Sequence, residues 1–151
     1  MGSMKPLLAT LVLLMVLSMS PARAADPLEA LQGKSRPLLL FAKSRSDASL
    51  EKQLELLRSR RSDLSERDML VLVSEGDEDT IAAIGYTPVP AGANRDLRAR
   101  FLPSTRGLVV ILVGKDGDEK ARWDKPVDPD EIFALIDAMP MRQREMGAAT
   151  N

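Results

Sequence analysis

The chain predicts an α/β fold, a mixed four-stranded sheet with helices on both faces. Three observations carry this. Residues 37–42, 69–73 and 108–113 are short apolar runs, the pattern of strands buried on both sides. Leu50, Leu54 and Leu57, between the first two runs, recur at helical spacing. After the third run come an Asp-Gly turn and a more polar segment, which reads as a hairpin with its second strand at the edge.

Asp26-Pro27 opens a short helical turn, with Asp as cap and Pro at the first helical position, Leu28 and Leu31 facing inward and Gly33 ending it. The first strand follows at 37–42. Asp47 caps a helix whose leucines face the core and whose other face, Glu51, Lys52, Glu55 and Arg58, is charged; Arg58, Arg60 and Arg61 suit its negative end. Residues 69–73 then complete a βαβ unit, so these two strands run parallel. In residues 77–93, Asp79 to Ile84 suggests a helical turn, and Gly85, Pro88, Pro90 and Gly92 interrupt regular structure. Asn94 caps a short helix with Leu97 and Phe101 inward, stopped by Pro103. The third strand, 108–113, turns at Lys115-Asp116-Gly117-Asp118 into the fourth, 119–123. Asp128-Pro129-Asp130-Glu131 starts a helix with Ile132, Phe133, Leu135, Ile136 and Met139 on its buried face, ended by Pro140, and the last residues read as a frayed tail. The order βαβ, helix, ββα is the core order of a thioredoxin-like fold.

The residue inventory restricts the chemistry. The chain has no His, which removes the side chain that titrates near neutrality and the commonest metal ligand. It has no Cys, which removes thiol redox chemistry, thiolate zinc sites and disulfides. Net charge is −1, so the bulk charge points to neither nucleic acid nor an anionic membrane.

Residues 1–24 read as a signal peptide: Lys5, an apolar run from Leu7 to Met19 too short to span a bilayer comfortably, a Ser20-Pro21 break, and the small-x-small signature Ala22-Arg23-Ala24. Cleavage after Ala24 removes two of the 21 basic residues and none of the 22 acidic ones, moving net charge from −1 to −3. The expected organisation is a signal peptide at 1–24, a helical turn and linker at 25–35, a thioredoxin-like domain at 36–141 and a flexible tail at 142–151. The expected location is the periplasm or the exterior, with no membrane anchor after cleavage.

Several short motifs lack the context their chemistry needs. Gly33-Lys34-Ser35 echoes a phosphate-binding loop but lacks the earlier glycine and the preceding strand. Ser49-Leu50-Glu51-Lys52 has the S-x-x-K spacing without its partner motifs, and a solvated helical turn explains it better. The acidic stretches at 77–79 and 116–119 do not follow a calcium-loop pattern. Met139, Met141 and Met146 could hold Cu(I) as soft ligands, but Met139 continues a core stripe, and no metal or cofactor is expected.

One junction stands out. Lys43, Ser44, Arg45 and Ser46 lie between the first strand and the first long helix, where backbone N–H groups and the helix dipole favour an anion. Arg106, just before the third strand, should emerge at the same end of the sheet; Arg95, Arg98 and Arg100 lie on the helix before it. A solvated, positively charged loop is the plainer account of the same residues.

"RGLVVILVGKDGDEKARW" followed by "PVDPDEIFALIDAMPMRQREM" resembles the bacterial family known as domain of unknown function 4174, related to the peroxiredoxin-like DUDES domains of vertebrate secreted proteins that carry sushi repeats. The resemblance covers roughly residues 36–146 as one domain. Its most specific pieces are Gly114-Lys115-Asp116-Gly117 and Asp137-Ala138-Met139-Pro140-Met141-Arg142. It implies a thioredoxin/peroxiredoxin-like fold and an exported protein, and no established activity. Arg106-Gly107-Leu108 also resembles the peroxiredoxin strand whose arginine stabilises a reactive thiolate. In those proteins a cysteine starts the first long helix; here the region holds Ser44, Ser46 and Asp47, and a serine has no sulfenic state with which to run a peroxide cycle. No proline directly precedes Leu108, where thioredoxins place a cis-proline.

The sequence thus predicts an exported, non-catalytic binding or interaction domain on a degenerate, cysteine-free thioredoxin-like fold. Anion or ligand contact is expected at Lys43, Ser44, Arg45, Ser46 and Arg106, and the partner is an unidentified protein or a small anionic ligand, not nucleic acid. Two alternatives differ in class. One is an enzyme using Ser44 or Ser46 with Lys43 or Asp47. The other is an envelope structural protein with an apolar face in the loop 86–93.

Overall fold

A computed structural model of the chain describes residues 26–75, 81–84 (backbone), 93–102 and 107–149. The signal segment, Arg106 and most of the proline-rich loop (residues 86–92) lie outside the described residues.

After a 3-10 turn (Glu29–Leu31) come β1 (Arg36–Ala42), α1 (Ala48–Arg58), α2 (Arg61–Glu66), β2 (Met69–Glu75), β3 (Ile81–Ile84), α3 (Ala93–Phe101), β4 (Val109–Val113), β5 (Glu119–Trp123), α4 (Pro129–Asp137) and α5 (Pro140–Ala149). The sheet order is β3-β2-β1-β4-β5. β1 and β2 are parallel, with Leu38 opposite Val71 and Leu40 opposite Val73, whereas β4 runs antiparallel to β1. The expected four strands are therefore present in a thioredoxin-like arrangement, with β3 added beside β2.

Every residue of β1 is buried because both faces of the sheet are covered. Leu38, Leu40, Val71, Val73, Val110 and Leu112 point toward α1, α2 and α4, where Leu50, Leu54, Leu57, Leu64, Ile132, Phe133 and Ile136 meet them. Leu39, Phe41, Leu72, Ile111 and Val113 point the other way, toward Leu97 and Phe101 of α3 and toward Leu28. Burying each of the α1 leucines contributes about 2 kcal/mol. Leu28 is a core residue, so the segment before β1 belongs to the packed domain and does not act as a linker.

The caps follow the sequence. The Asp47 carboxylate accepts from the Ser49 and Leu50 amides at 2.9 and 3.2 Å. Asp128 accepts from the Asp130 amide at 2.9 Å, with Pro129 in the first turn of α4. At the β4–β5 turn Gly117 has φ +86°, a conformation that only glycine adopts without strain. Gly114 lies under the Asp116–Lys120 ion pair, where a Cβ would come within 2.5 Å of the lysine chain.

Three elements differ from expectation. The first helix stops at Arg58 and restarts as α2 at Arg61; its arginines do not extend one rod. Residues 81–84 form a strand, not a helical turn, because antiparallel pairing with β2 from Val71–Ile84 to Ser74–Ile81 supplies hydrogen bonds that a single isolated helical turn would lack. Pro140 does not end the chain's ordered part. It begins α5, as proline can at the first helical position, so the expected flexible tail is a helix through Ala149.

α5 is fixed by charge. Among its described residues Arg142 is the buried one. Arg142 donates to Asp137 at 3.2 Å and to Glu66 at 2.7 Å. Glu145 takes both ends of the Arg36 guanidinium at 3.0 and 3.1 Å, and Lys115 at 2.6 Å. Arg36, at the start of β1, is 1% exposed and also donates to the Arg67 carbonyl at 2.9 Å. Asp137 pairs with Arg67 as well, at 2.6 Å. The two most family-specific sequence pieces, around Lys115 and from Asp137 to Arg142, thus build the ionic clamp at this end of the sheet.

Candidate functional site: the carboxyl edge of β1 and β2

The opposite end of the sheet holds the junction that the sequence singles out. β1 has its parallel neighbour β2 on one side and antiparallel β4 on the other, with α1 over one face and α3 over the other. Its carboxyl end therefore opens where the connections diverge, the position at which open α/β sheets accommodate ligands.

Lys43, Ser44, Arg45 and Ser46 are all exposed there. Ser44 Oγ and Ser46 Oγ lie 3.2 Å apart and hydrogen-bond to each other. Arg45, 73% exposed, donates to Glu75 at the end of β2 at 3.2 Å. The Lys43 side chain has no hydrogen-bond or ion-pair partner among the described residues. The sequence reading expects free amides at the start of α1. Two of them, on Ser49 and Leu50, are already taken by the Asp47 carboxylate. An external anion at this edge would therefore meet side-chain cations more than the helix terminus.

α3 contributes a residue that sequence reasoning placed only nearby. Arg98 reaches across the strand ends and donates from Nη2 to the Ala42 carbonyl at 3.2 Å and to the Ser74 carbonyl at 3.4 Å. Its guanidinium carbon lies 5.6 Å from the centre of the Phe41 ring. Its Nε is buried without a hydrogen-bond partner, an unspent donor at the edge. Beside it, buried Ser74 donates to the Asn94 side-chain oxygen. Arg100, two residues on, points elsewhere, pairing with Asp26 and donating to the Gly117 carbonyl at 2.6 Å. Helical periodicity separates Arg98 from Arg100, but it cannot say which one lands on the strand ends; the crossing of α3 over the sheet decides that.

The hydroxyls of this edge are not arranged as activated nucleophiles. Ser44 and Ser46 face solvent and bond to each other, and Asp47 is engaged as a helix cap, so neither hydroxyl is bonded to a base. Among the described residues no group of three or more Asp or Glu is placed to hold a metal ion, and no helix is long and apolar enough to cross a membrane.

The model of the family described as a domain of unknown function, DUF4174, matches residues 27–145. Sushi repeat-containing protein SRPX2 of Rattus norvegicus is 27% identical over 125 residues, covering 82% of this chain and 27% of that protein. Sushi repeat-containing protein SRPX of Homo sapiens is 29% identical over 124 residues, covering 82% of this chain and 27% of that protein. The chain thus spans about a quarter of the length of the curated relatives it matches. A Plasmodium yoelii thioredoxin peroxidase I superposes with a TM-score of 0.51 at 18% identity, covering 78% of this chain and 79% of that one. At that identity the likeness establishes the thioredoxin-like fold and says nothing of the chemistry.

Proposed function

The chain belongs to the DUF4174 family of domains of unknown function, and from that premise we propose that it is a non-catalytic binding domain, acting outside the cytoplasm, whose contact edge is the carboxyl end of β1 and β2. The observation that carries this reading is the make-up of the β1–α1 junction. Where a redox thiol would have to stand, the chain has two exposed serines bonded to each other, flanked by Lys43 and Arg45, and it has no cysteine anywhere.

Lys43, Arg45 and Arg98 supply positive charge at this edge, partly balanced by Glu75 and Asp47. Ser44 and Ser46 add neutral hydrogen-bonding groups. Arg106 joins the proposal on its position in the sequence, two residues before Leu108. Such a surface suits a small anion or the acidic face of a protein partner. Action outside the cytoplasm is supported by the leader pattern of residues 1–24.

The test is the melting temperature of the purified chain with phosphate, sulfate and citrate, run beside the double variant Lys43→Glu/Arg45→Glu. Both positions are exposed, so the variant keeps its fold. A ligand at one hundred times its Kd stabilises by about 2.7 kcal/mol, well within detection. A rise with at least one anion, lost in the variant, supports the reading. An equal rise in both proteins would remove the junction from it. Thiol-dependent consumption of peroxide by the chain would overturn the non-catalytic part.

A further inference from the structure

A cavity of about 380 Å³ opens between the end of α1, α2 and the start of β2, away from the junction. Its floor is apolar: Leu57, Leu64 and Val71 are buried and Met69 is half-buried. Arg58 and Arg61 also line it, and both are exposed. Neither side chain has a hydrogen-bond or ion-pair partner among the described residues.

That isolation is informative in this chain. Arg36, Arg60, Arg67, Arg122 and Arg142 each reach a carboxylate. Of the nearby acids, Asp63 pairs with Arg60, Glu66 with Arg142 and Asp68 with Lys115, while Glu55, one turn before Arg58 on α1, is not bonded to it. Both guanidinium groups therefore stand open to a carboxylate arriving from solution. An apolar floor with two unpaired guanidinium groups at its rim matches one ligand chemistry, a carboxylate on an apolar chain. The chain displaces water from the leucine, methionine and valine side chains, and the planar guanidinium groups take the carboxylate oxygens in charge-assisted hydrogen bonds. The volume lies within the range of small-molecule sites, about 300–1,000 Å³.

We propose that this cavity binds a small organic carboxylate with an unbranched apolar chain, of the medium-chain fatty acid class. This site is separate from the β1–α1 junction, and its occupancy does not depend on that reading.

The test is calorimetric titration of the whole chain with octanoate and decanoate, with decan-1-ol and decyltrimethylammonium as charge controls. Decanoate is expected to bind about fifteen-fold more tightly than octanoate, since each buried methylene is worth about four-fold in affinity. Decanol is expected to bind at least about ten-fold more weakly, and the cation not at all. Arg58→Ala/Arg61→Ala should bring decanoate down to the level of decanol, and Lys43→Glu/Arg45→Glu should bind it as the unaltered chain does. Ser65→Trp, on the exposed wall, should fill the space and abolish binding with both arginines intact. Absence of decanoate binding at millimolar concentration would overturn the proposal. So would equal affinity for acid and alcohol, no dependence on chain length, or binding that survives both the arginine and the tryptophan variants.

Discussion

Arg36 and Glu145 stand 109 residues apart in the chain and meet as a two-pronged ion pair, Nη1 to Oε2 at 3.1 Å and Nη2 to Oε1 at 3.0 Å. The arginine opens the central strand and the glutamate lies on the last helix. α5 has almost no apolar face to bury, so this pair, with Arg142–Asp137 and Lys115–Glu145, is what holds it to the domain.

Glu145→Gln should therefore cost about 3 kcal/mol, at the low end for breaking a buried pair because the glutamate is 27% exposed. The loss comes mainly from stranding the buried Arg36 charge. Arg36→Met/Glu145→Met should recover a large part of it, since replacing both partners leaves no uncompensated charge. Urea unfolding of the three proteins checks this. A single variant indistinguishable from the unaltered chain would mean that water already satisfies Arg36.

The same clamp sets an acid limit. Burial alone would raise the Glu145 carboxyl, but hydrogen bonds from Arg36 and Lys115 outweigh it and hold its pKa below the ordinary glutamate value. Asp137 is likewise raised by burial and lowered further by Arg67 and Arg142, to a net fall. A carboxylate whose folded pKa lies below its unfolded one stabilises fully above the unfolded value, about 4, and loses that contribution as pH falls through the folded value. Stability should thus be level from about pH 5 to about pH 10 and drop below about pH 4, with a shallower acid drop in Asp137→Asn. Lys115 gives the alkaline counterpart. Burial lowers its pKa, the bonds to Asp68 and Glu145 more than compensate, and the net rise means its contribution is complete below pH 10.5 and lost above it. Denaturant midpoints measured from pH 3 to pH 11 would show both limbs; a midpoint that stays level down to pH 3 would rule out the acid one.

Docking by charge should also show in salt. Raising sodium chloride from about 0.1 M to 1 M shortens the screening length from about 10 Å to 3 Å, which weakens the half-exposed members of the clamp first. Amide exchange in α5 should accelerate several-fold while α4, with Ile132, Phe133 and Ile136 in the core, stays protected. Equal protection of the two helices at high salt would show that α5 is held by packing.

Elements whose signals are local can be read from consecutive residues, and those held by distant partners cannot. β1, β2, β4 and β5 were legible because buried strands and a hairpin announce themselves in a few consecutive residues, and α1 and α4 because Asp47 and Asp128 cap leucine- and isoleucine-rich helices. α5 was not legible because its reasons lie elsewhere in the chain: Arg142 and Glu145 look like solvent-facing residues until Glu66, Arg36 and Lys115 are brought to them. Arg36 itself reads as a strand boundary, yet it is among the largest fully buried side chains of the described residues. At the candidate edge, Lys43 to Ser46 follow from the strand–helix junction, whereas the placement of Arg98 depends on how α3 crosses the sheet.

Gln53 offers the sharpest test of long-range order beneath the candidate edge. It is fully buried on α1 and makes a reciprocal pair with one backbone position in the β5–α4 connection: its amide donates to the Val127 carbonyl at 3.1 Å, and its oxygen accepts from the Val127 amide at 2.7 Å. No other side chain is bonded to that carbonyl and amide among the described residues. Gln53→Leu keeps the volume and removes both bonds, leaving two buried backbone groups unsatisfied. Each costs about 1–3 kcal/mol, so the variant should lose about 3 kcal/mol. Gln53→Glu keeps the acceptor for the Val127 amide but turns a carboxylate oxygen toward the Val127 carbonyl, and so should be worse near neutral pH and partly rescued in acid, where a protonated carboxyl can donate. Urea midpoints at pH 7 and pH 5 distinguish the two variants. If Gln53→Leu unfolds at the same midpoint as the unaltered chain, water has taken over both groups, and the connection before α4 owes its position to Val127 packing alone.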